Sequence, residues 1–144
     1  MLKRLWFLSL IFLVGCSESE TKMEFFNKTA LSNTEKAFAK TMADRNFDEF
    51  GSFIAEDAVF LNGGKPLRGK DEILNHWKSF FKEEAAPFSW NPEQSEIGGG
   101  NLGTTEGPVL DPTGKIIARF NSTWQLQADG KWLIIFDNGS DVCK

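Results

Sequence analysis

The spacing of apolar residues changes from a helical period to a strand period near Pro87. Before this point apolar positions recur every three or four residues, which predicts helices at residues 29–44, 46–54 and 69–82. Between the last two helices, "AVFL" (residues 58–61) predicts a short strand, and the "NGGKP" that follows is typical of a turn. The first half of the domain is therefore predicted to be mainly helical.

After Pro87 apolar and polar residues alternate, which is the period of a β-strand. Strands are predicted at residues 88–97, 102–110, 115–127 and 131–139, separated by turns rich in Gly, Asp and Pro. In the third of these strands Phe120, Ser122 and Trp124 share one face, and the other face is polar from Arg119 to Gln127. Helices first and strands afterwards predict an α+β domain, with three helices packed on one face of a strongly curved, mostly antiparallel sheet.

The N-terminal segment has a pattern of its own. Lys3 and Arg4 precede a short apolar run that ends at Gly15-Cys16. This is typical of an export signal, because the run is shorter than the roughly 20 apolar residues that span a bilayer. The residues "LVGC" (13–16) resemble the lipobox of bacterial lipoproteins, in which the cysteine is acylated and becomes the new N-terminus. We therefore expect a signal peptide (1–15), a lipidated Cys16 with a flexible tether (16–28) and a folded domain (29–144).

The residue after Cys16 is Ser17 and not Asp, which by resemblance to Gram-negative lipoprotein sorting favours the periplasmic side of the outer membrane. An ordinary signal peptide or an uncleaved anchor is the alternative. Because a lipidated Cys16 cannot pair with Cys143, that second cysteine is left as a free thiol or as half of an intermolecular disulfide.

Composition limits the possible partners. The net charge is −4 and lysine and arginine do not cluster, so nucleic acid is not expected. One histidine and two cysteines form no metal-ligand cluster, and we expect neither a metal nor a cofactor. The 14 Phe and 5 Trp residues, without any Tyr, provide a large aromatic surface but no phenol.

Four segments, taken in order, resemble the nuclear transport factor 2-like superfamily, and most nearly its SnoaL-like and ketosteroid-isomerase-like domains. They are "AFAKTMADRNFDEFGSFIAEDAVFLNGG", "LRGKDEILNHW", "LGTTEGPV" and "NSTWQLQADGKWLIIFDNGS". The resemblance covers about residues 30–141. It implies a cone of three helices and a bent sheet around an apolar pocket, and a homodimer formed through the sheet.

The same resemblance implies that the ketosteroid isomerase machinery is missing. The base of that family falls on Asn62, its tyrosine on Phe38 and its protonated aspartate on Ser122. An amide has no lone pair as basic as that of a carboxylate, and phenylalanine cannot donate a hydrogen bond. The acid/base residue of SnoaL-type cyclases has no assignable counterpart, so whether the protein is an enzyme stays open.

Strand alternation and the resemblance together predict the pocket lining. It comprises Phe38, Phe60, Asn62, Trp77, Trp90, Glu106, Phe120, Ser122, Trp124 and Ile135. Glu106 could instead be a solvent-facing acid, and Trp77 an ordinary core residue.

On the last strand, the resemblance implies that alternate residues face inward: Leu133, Ile135, Asp137 and Gly139. Its outer face would then carry Trp132, Ile134 and Phe136. Because three large apolar side chains are rarely left in water, we expect a second subunit or a loop to cover them.

Asp137 and His76 are the candidate catalytic residues. A carboxyl group beside an apolar cavity is desolvated, which raises its pKa and suits it to act as a general acid or base. The alternative is a structural Asp137 in "DNGS", a sequence of turn formers. His76 borders the apolar stripe of the third helix, where it could equally be a boundary residue.

Three functions follow from these features. The first is a tethered domain that binds a small, largely apolar molecule, which the aromatic content and the missing isomerase residues favour. The second is an isomerase, dehydratase or cyclase that uses Asp137, with or without His76. The third is a non-catalytic dimerisation or assembly module.

Overall fold

The computed structural model describes residues 17–142 as three helices, a 3-10 segment and seven strands; the side chains of residues 17–21, 25 and 62 lie outside this description. The helices are α1 (Ser17–Ala43), α2 (Phe47–Ser52) and α3 (Lys70–Trp77), and the 3-10 segment Lys78–Phe81 continues α3. The strands are β1 (Ile54–Asn62), β2 (Lys65–Arg68), β3 (Ser89–Trp90), β4 (Gln94–Ile97), β5 (Leu102–Leu110), β6 (Ile116–Leu126) and β7 (Trp132–Asp141).

The predicted signal peptide (1–15), Cys16 and Cys143 lie outside the described residues. Within residues 17–142, no helix combines the length and the apolar character that crossing a membrane requires.

The seven strands form one curved sheet that is not closed. Its order is β2-β1-β7-β6-β5-β3, and β4 also pairs with β5. Strand β1 runs parallel to β7, and every other pairing is antiparallel, as predicted. Helix α1 contacts β3, β4 and β5, and α3 contacts β1 and β2. The helices therefore cover the inner face of the sheet and enclose the space above it.

Helix α1 begins at Ser17 and not at Thr29, so residues predicted as a tether are helical in the structure. The early turns expose apolar side chains, among them Met23 and Phe26. Their Glu and Lys residues favour helix without a buried face. A prediction from hydrophobic period detects only the part of a helix that packs against something.

Two further differences arise at glycine and proline. Strand β2 was not predicted, because the residues read as a turn contain a tight hairpin through Gly63-Gly64, both with positive φ (57° and 80°). The strand predicted at 88–97 is divided into β3 and β4 around Pro92, which has no N–H to donate to a ladder. Helix α2 ends at Ser52, and Ile54 opens β1.

The predicted alternation of β7 was wrong over its first half. Trp124 pairs with Ile134, but Thr123 pairs with Phe136, so Ile135 is the extra residue of a β-bulge. As a result Trp132 and Ile134, predicted to face outward, are buried in the core.

Leu133, predicted to face inward, lies opposite Gln125 on the outer face. Beyond the bulge the prediction is confirmed: Asp137 and Gly139 pair with the inward-facing Ser122 and Phe120.

Phe38 is the centre of the aromatic core. Its ring stacks on Phe50 with centroids 4.7 Å apart and meets Trp90 and Trp124 edge-on at 5.5 and 5.8 Å. Trp77 of α3 also stacks on Phe50, with ring centroids 5.0 Å apart. Rigid rings packed in this way fix the position of α1 and α3 over the sheet.

Candidate functional site

A cavity of about 210 Å³ lies between α1, the α3 region and the inner face of the sheet. Twelve of its lining residues are apolar, and two are polar, Ser122 and Asp137. The lining consists of Phe38, Phe60, Leu61, Trp77, Phe80, Phe88, Trp90, Val109, Ile117, Ala118, Phe120, Ser122, Asp137 and Gly139. Such a surface suits an apolar molecule with one polar group.

A row of three polar side chains crosses the inner face of the sheet. Thr105 on β5 pairs with Ser122 on β6, and Ser122 pairs with Asp137 on β7. Directly paired residues of antiparallel strands point to the same face, so the register alone brings these side chains together. The hydroxyl of Ser122 donates to Oδ1 of Asp137 over 2.8 Å.

Asp137 is the titratable group of the cavity wall. Burial among apolar side chains, with a smaller contribution from the charge of the nearby Glu35, raises the pKa of Asp137 to about 7. Hydrogen bonds from Ser122 and from the backbone N–H of Asn138 oppose this shift, because they favour the ionised form. Near neutral pH the carboxyl group can therefore hold or release a proton, as a general acid or base must.

Glu35 of α1 is a second buried carboxyl group, directly behind this row. Its side chain is fully inaccessible. Trp90 Nε1 donates to Oε1 over 2.7 Å, while Thr105 Oγ1 and Trp124 Nε1 donate to Oε2 over 2.6 and 3.0 Å. Burial raises the pKa of Glu35, and these hydrogen bonds oppose the shift.

Glu35 was not among the site residues predicted from the sequence. The signal was present, because Glu35 follows Leu31 by four residues and precedes Phe38 by three. It is therefore a charged residue within the buried stripe of the helix, which is unusual unless the charge has partners.

Comparison with known proteins agrees with this architecture. Residues 35–134 match the SnoaL-like domain, over more than half of the sequence. The chain belongs to the SnoaL-like domain family. No curated protein sequence matches the chain.

Solved structures share the fold of this SnoaL-like domain. A protein of unknown function from Pectobacterium atrosepticum is 15% identical, with a TM-score of 0.67 over 81% of this chain and 91% of the other. A ketosteroid isomerase-like protein from Erwinia carotovora is 13% identical, with a TM-score of 0.64 over 82% and 98%. A nuclear transport factor 2-like protein from Novosphingobium aromaticivorans, described as having a cystatin-like fold, is 9% identical, with a TM-score of 0.65 over 91% and 92%. The predicted fold is thus confirmed.

Most predicted pocket residues of the SnoaL-like domain do line the cavity. They are Phe38, Phe60, Trp77, Trp90, Phe120, Ser122 and Asp137. Three predicted residues, Trp124, Ile135 and Glu106, do not line the cavity. Trp124 is fully buried behind the wall, where it binds Glu35, and Ile135 is the bulge residue of β7.

Glu106 pairs with Asn121 on the outer face, because it is one residue beyond Thr105 in the alternation of β5. For Asn62 the structure gives the backbone pairing with Lys65, but its side chain lies outside the described part.

His76 is exposed on α3 and lies outside the cavity wall. Its ring meets Phe80 edge-on, with centroids 5.9 Å apart. The structure therefore does not bring His76 and Asp137 together at the cavity, since the apolar stripe of α3 faces inward and His76 lies at its border. Within residues 17–142, no group of His, Cys, Asp and Glu side chains is arranged to hold a metal ion.

Arg45 is a further residue that the sequence analysis missed. It lies two residues after the end of α1 in the left-handed conformation (φ 60°), and its guanidinium group donates to the carbonyl oxygens of Met42, Phe80 and Glu83. The same group lies 5.0 Å above the ring of Phe81. Arg45 thus fastens the end of α1 to the 3-10 segment that supplies Phe80 to the cavity wall.

Proposed function

We propose that this SnoaL-like domain binds a small, largely apolar molecule in the aromatic cavity, with one polar group of the ligand against Asp137. The observation that supports the proposal most strongly is the composition of the wall, twelve apolar residues around Ser122 and Asp137. An apolar cavity of about 150 Å³ holds a benzene molecule. The cavity of about 210 Å³ therefore suits a bicyclic ring of nine or ten heavy atoms.

Filling the cavity tests this proposal. Gly139 lines the cavity, and a Cβ placed there meets no atom within 4 Å, so Gly139→Leu would occupy ligand space without a backbone clash. Ser140→Leu is the matched control, because Ser140 pairs with Arg119 on the outer face. We expect bicyclic aromatic probes to raise the melting temperature of the wild-type protein and of Ser140→Leu, but not of Gly139→Leu. Equal shifts in all three proteins would contradict the proposal.

An enzymatic role is the second candidate, and the pKa of Asp137 near 7 favours it. A reaction that needs a general acid or base at Asp137 would lose activity in Asp137→Asn, which preserves shape but not proton transfer. Full turnover by Asp137→Asn with any substrate found would rule out this role. Binding and proton transfer use the same cavity, so a ligand identified for the first role is the first substrate to try for the second.

We also propose, from the sequence pattern of residues 1–16, that the domain is exported and anchored through a lipid on Cys16. The test is mass spectrometry of the N-terminal peptide from membrane fractions, with Cys16→Ser as the comparison. An acylated Cys16 in the wild type and loss of membrane association in Cys16→Ser are expected. An intact N-terminal methionine on the membrane-bound protein would contradict cleavage at Cys16.

A further inference from the structure

Two carboxyl groups, Glu35 and Asp137, interact with the same side chain, and this arrangement is not needed for apolar binding alone. Ser122 Oγ donates to Asp137 Oδ1 over 2.8 Å. The Ser122 side chain also favours the ionised form of Glu35, and the charge of Glu35 acts on Asp137 through space. The protonation states of Glu35 and Asp137 are therefore coupled.

The partners of Glu35 are suited to a carboxylate. The indole N–H groups of Trp90 and Trp124 can only donate. Thr105 Oγ1 accepts a hydrogen bond from Trp124 Nε1, which leaves its own proton for Glu35. Two full donors, Trp90 and Thr105, and the N–H of Trp124, which is shared between Glu35 and Thr105, thus converge on the two oxygens of Glu35 and favour its ionised form.

The surroundings of Asp137 favour the opposite charge state. The cavity residues contributed by α1, α3, the 3-10 segment and the neighbouring strands β1 and β6 are apolar apart from Ser122. Glu35 is the charged group that acts on Asp137 through space, and it does so without a compensating cation. Two like charges this close are not both favoured in an apolar interior, so one of the pair keeps its proton.

We infer that Glu35 is a positioning residue that carries the buried negative charge of the site, so that Asp137 stays protonated and donates a hydrogen bond to an acceptor oxygen of the ligand. This inference rests on the proposed function and narrows the ligand to neutral molecules that present a carbonyl or ether oxygen to Asp137. With Ser122 donating to Oδ1, the proton of Asp137 resides on Oδ2 and is free to bond the ligand. An amine cation would require Asp137 to ionise beside Glu35.

The first test follows both carboxyl groups by ¹³C NMR during a pH titration of the whole domain without ligand. In the wild type we expect Glu35 to ionise at lower pH than Asp137; the reverse order would overturn the inference without any variant. Glu35→Gln should reduce the proton affinity of Asp137 by about tenfold, because it removes the like charge. Ser122→Ala should increase that affinity, because it removes a hydrogen bond to the ionised form.

Glu106→Gln is the matched control. It also removes one carboxylate, but from the outer face of β5. It should leave the titration of Asp137 in place. A shift in Glu106→Gln equal to that in Glu35→Gln, or no shift in Glu35→Gln, would contradict the role given to Glu35. If Glu35→Gln does not fold, the order of ionisation in the wild type decides.

The second test uses three probes of one shape: indane, 1-indanone and 1-aminoindane. At pH 6 we expect 1-indanone to bind more tightly than indane and far more tightly than the cationic 1-aminoindane. The preference for 1-indanone over indane should fade above pH 8, when Asp137 ionises, and at lower pH in Glu35→Gln. Equal binding of 1-indanone and indane at pH 6 would overturn the ligand class.

The two tests distinguish a failure of the binding function from a failure of the role of Glu35. If the titration is as expected but none of the probes binds, the proposed function fails and the charge arrangement stands. If the probes bind in the cavity but Asp137 ionises before Glu35, the binding function stands and the role of Glu35 fails.

Discussion

Asp137 and Glu35 are costly residues for a folded protein, because each places a carboxyl group among apolar side chains. Hydrogen bonds offset part of the cost: three donors for Glu35, and Ser122 with a backbone N–H for Asp137. The part of the burial cost that is not offset raises the pKa values of Glu35 and Asp137. Stability given up at one cavity wall is typical of a site that binds or reacts.

The pKa of Asp137 predicts how stability depends on pH. Between about pH 4 and pH 7, the unfolded chain has released this proton while the folded protein keeps it. The free energy of unfolding should therefore fall as pH rises through this window, by about 4 kcal/mol at most from this group. Asp137→Asn removes this contribution and should flatten the fall, as measured by urea unfolding at pH 5 and pH 8.

Glu35 contributes in the same direction, so Asp137→Asn should retain a smaller slope. The exposed Asp129 gives the control variant Asp129→Asn, which should keep the full wild-type slope. If wild type and Asp137→Asn lost the same stability between pH 5 and pH 8, Asp137 would not hold its proton in the folded state.

At the level of single residues, the sequence predicted Asp137 but not Glu35. The resemblance, together with the alternation of β7, placed Asp137 beside an apolar pocket. Glu35 lies in the buried stripe of α1, where an unpaired charge is unfavourable. Hydrogen-bond donors from β3, β5 and β6 offset this cost. Those partners are brought together by tertiary structure, which hydrophobic period does not report.

Among the secondary-structure elements, β5 is held close to the segment between β3 and β4. A Cβ at Gly107 would lie 2.3 Å from the backbone oxygen of Asn91 and 3.0 Å from the ring of Phe120. Two backbone segments therefore meet here at a distance that only glycine allows.

Gly107→Ala should destabilise the fold by about 2 kcal/mol or more, because the added Cβ would clash with backbone atoms of Asn91 and Glu93 and not with the end of a flexible side chain. Gly99→Ala, in an exposed turn where a Cβ meets no atom within 4 Å, is the matched control and should change stability little. Urea unfolding of both variants measures the difference. Similar midpoints would show that the approach of β5 to Asn91 is looser than described.

Elements with a regular period were the most predictable. The bounds of β5 were predicted as the structure has them, and β6 differs by one residue at each end. The bulge at Ile135 was not predictable, because it depends on how β7 registers against β6 and not on the composition of β7. One such residue reversed the predicted facing of Trp132, Leu133 and Ile134.

For the whole molecule, the outer face of the sheet is polar along β6 but carries a small exposed apolar group. Leu102 and Phe136 are 37% and 36% exposed there, and Leu102 and Leu133 both pair with Gln125. The helices pack on the opposite face. Of the outer stripe predicted on β7, Phe136 faces outward, whereas Trp132 and Ile134 are buried, and covering of this face by a second subunit stays a prediction.

Phe136→Lys tests that prediction. A charge at the centre of a sheet-to-sheet contact would be buried, so we expect a dimer for the wild type and a shift of about tenfold or more towards monomer in the variant. Met23→Lys is the control, since Met23 is 62% exposed on α1, away from this face. Sedimentation equilibrium measures both. A monomeric wild type would contradict the dimer.

The fold was predictable from the sequence. The change from a helical to a strand period near Pro87 indicates helices followed by strands, and the resemblance implies the same order. The open cavity was harder to predict. Whether rings interlock completely or leave a space depends on angles between α1, α3 and the sheet, which the sequence does not specify.

Binding of a small apolar molecule in the aromatic cavity is tested most directly by intermolecular NOEs between 1-indanone and the ¹³C-labelled protein in solution. We expect contacts from the probe to Phe38, Trp90 and Phe120 inside the cavity. Contacts confined to Phe136 and Leu102 on the outer face, or no contacts at a probe concentration that saturates binding, would contradict it.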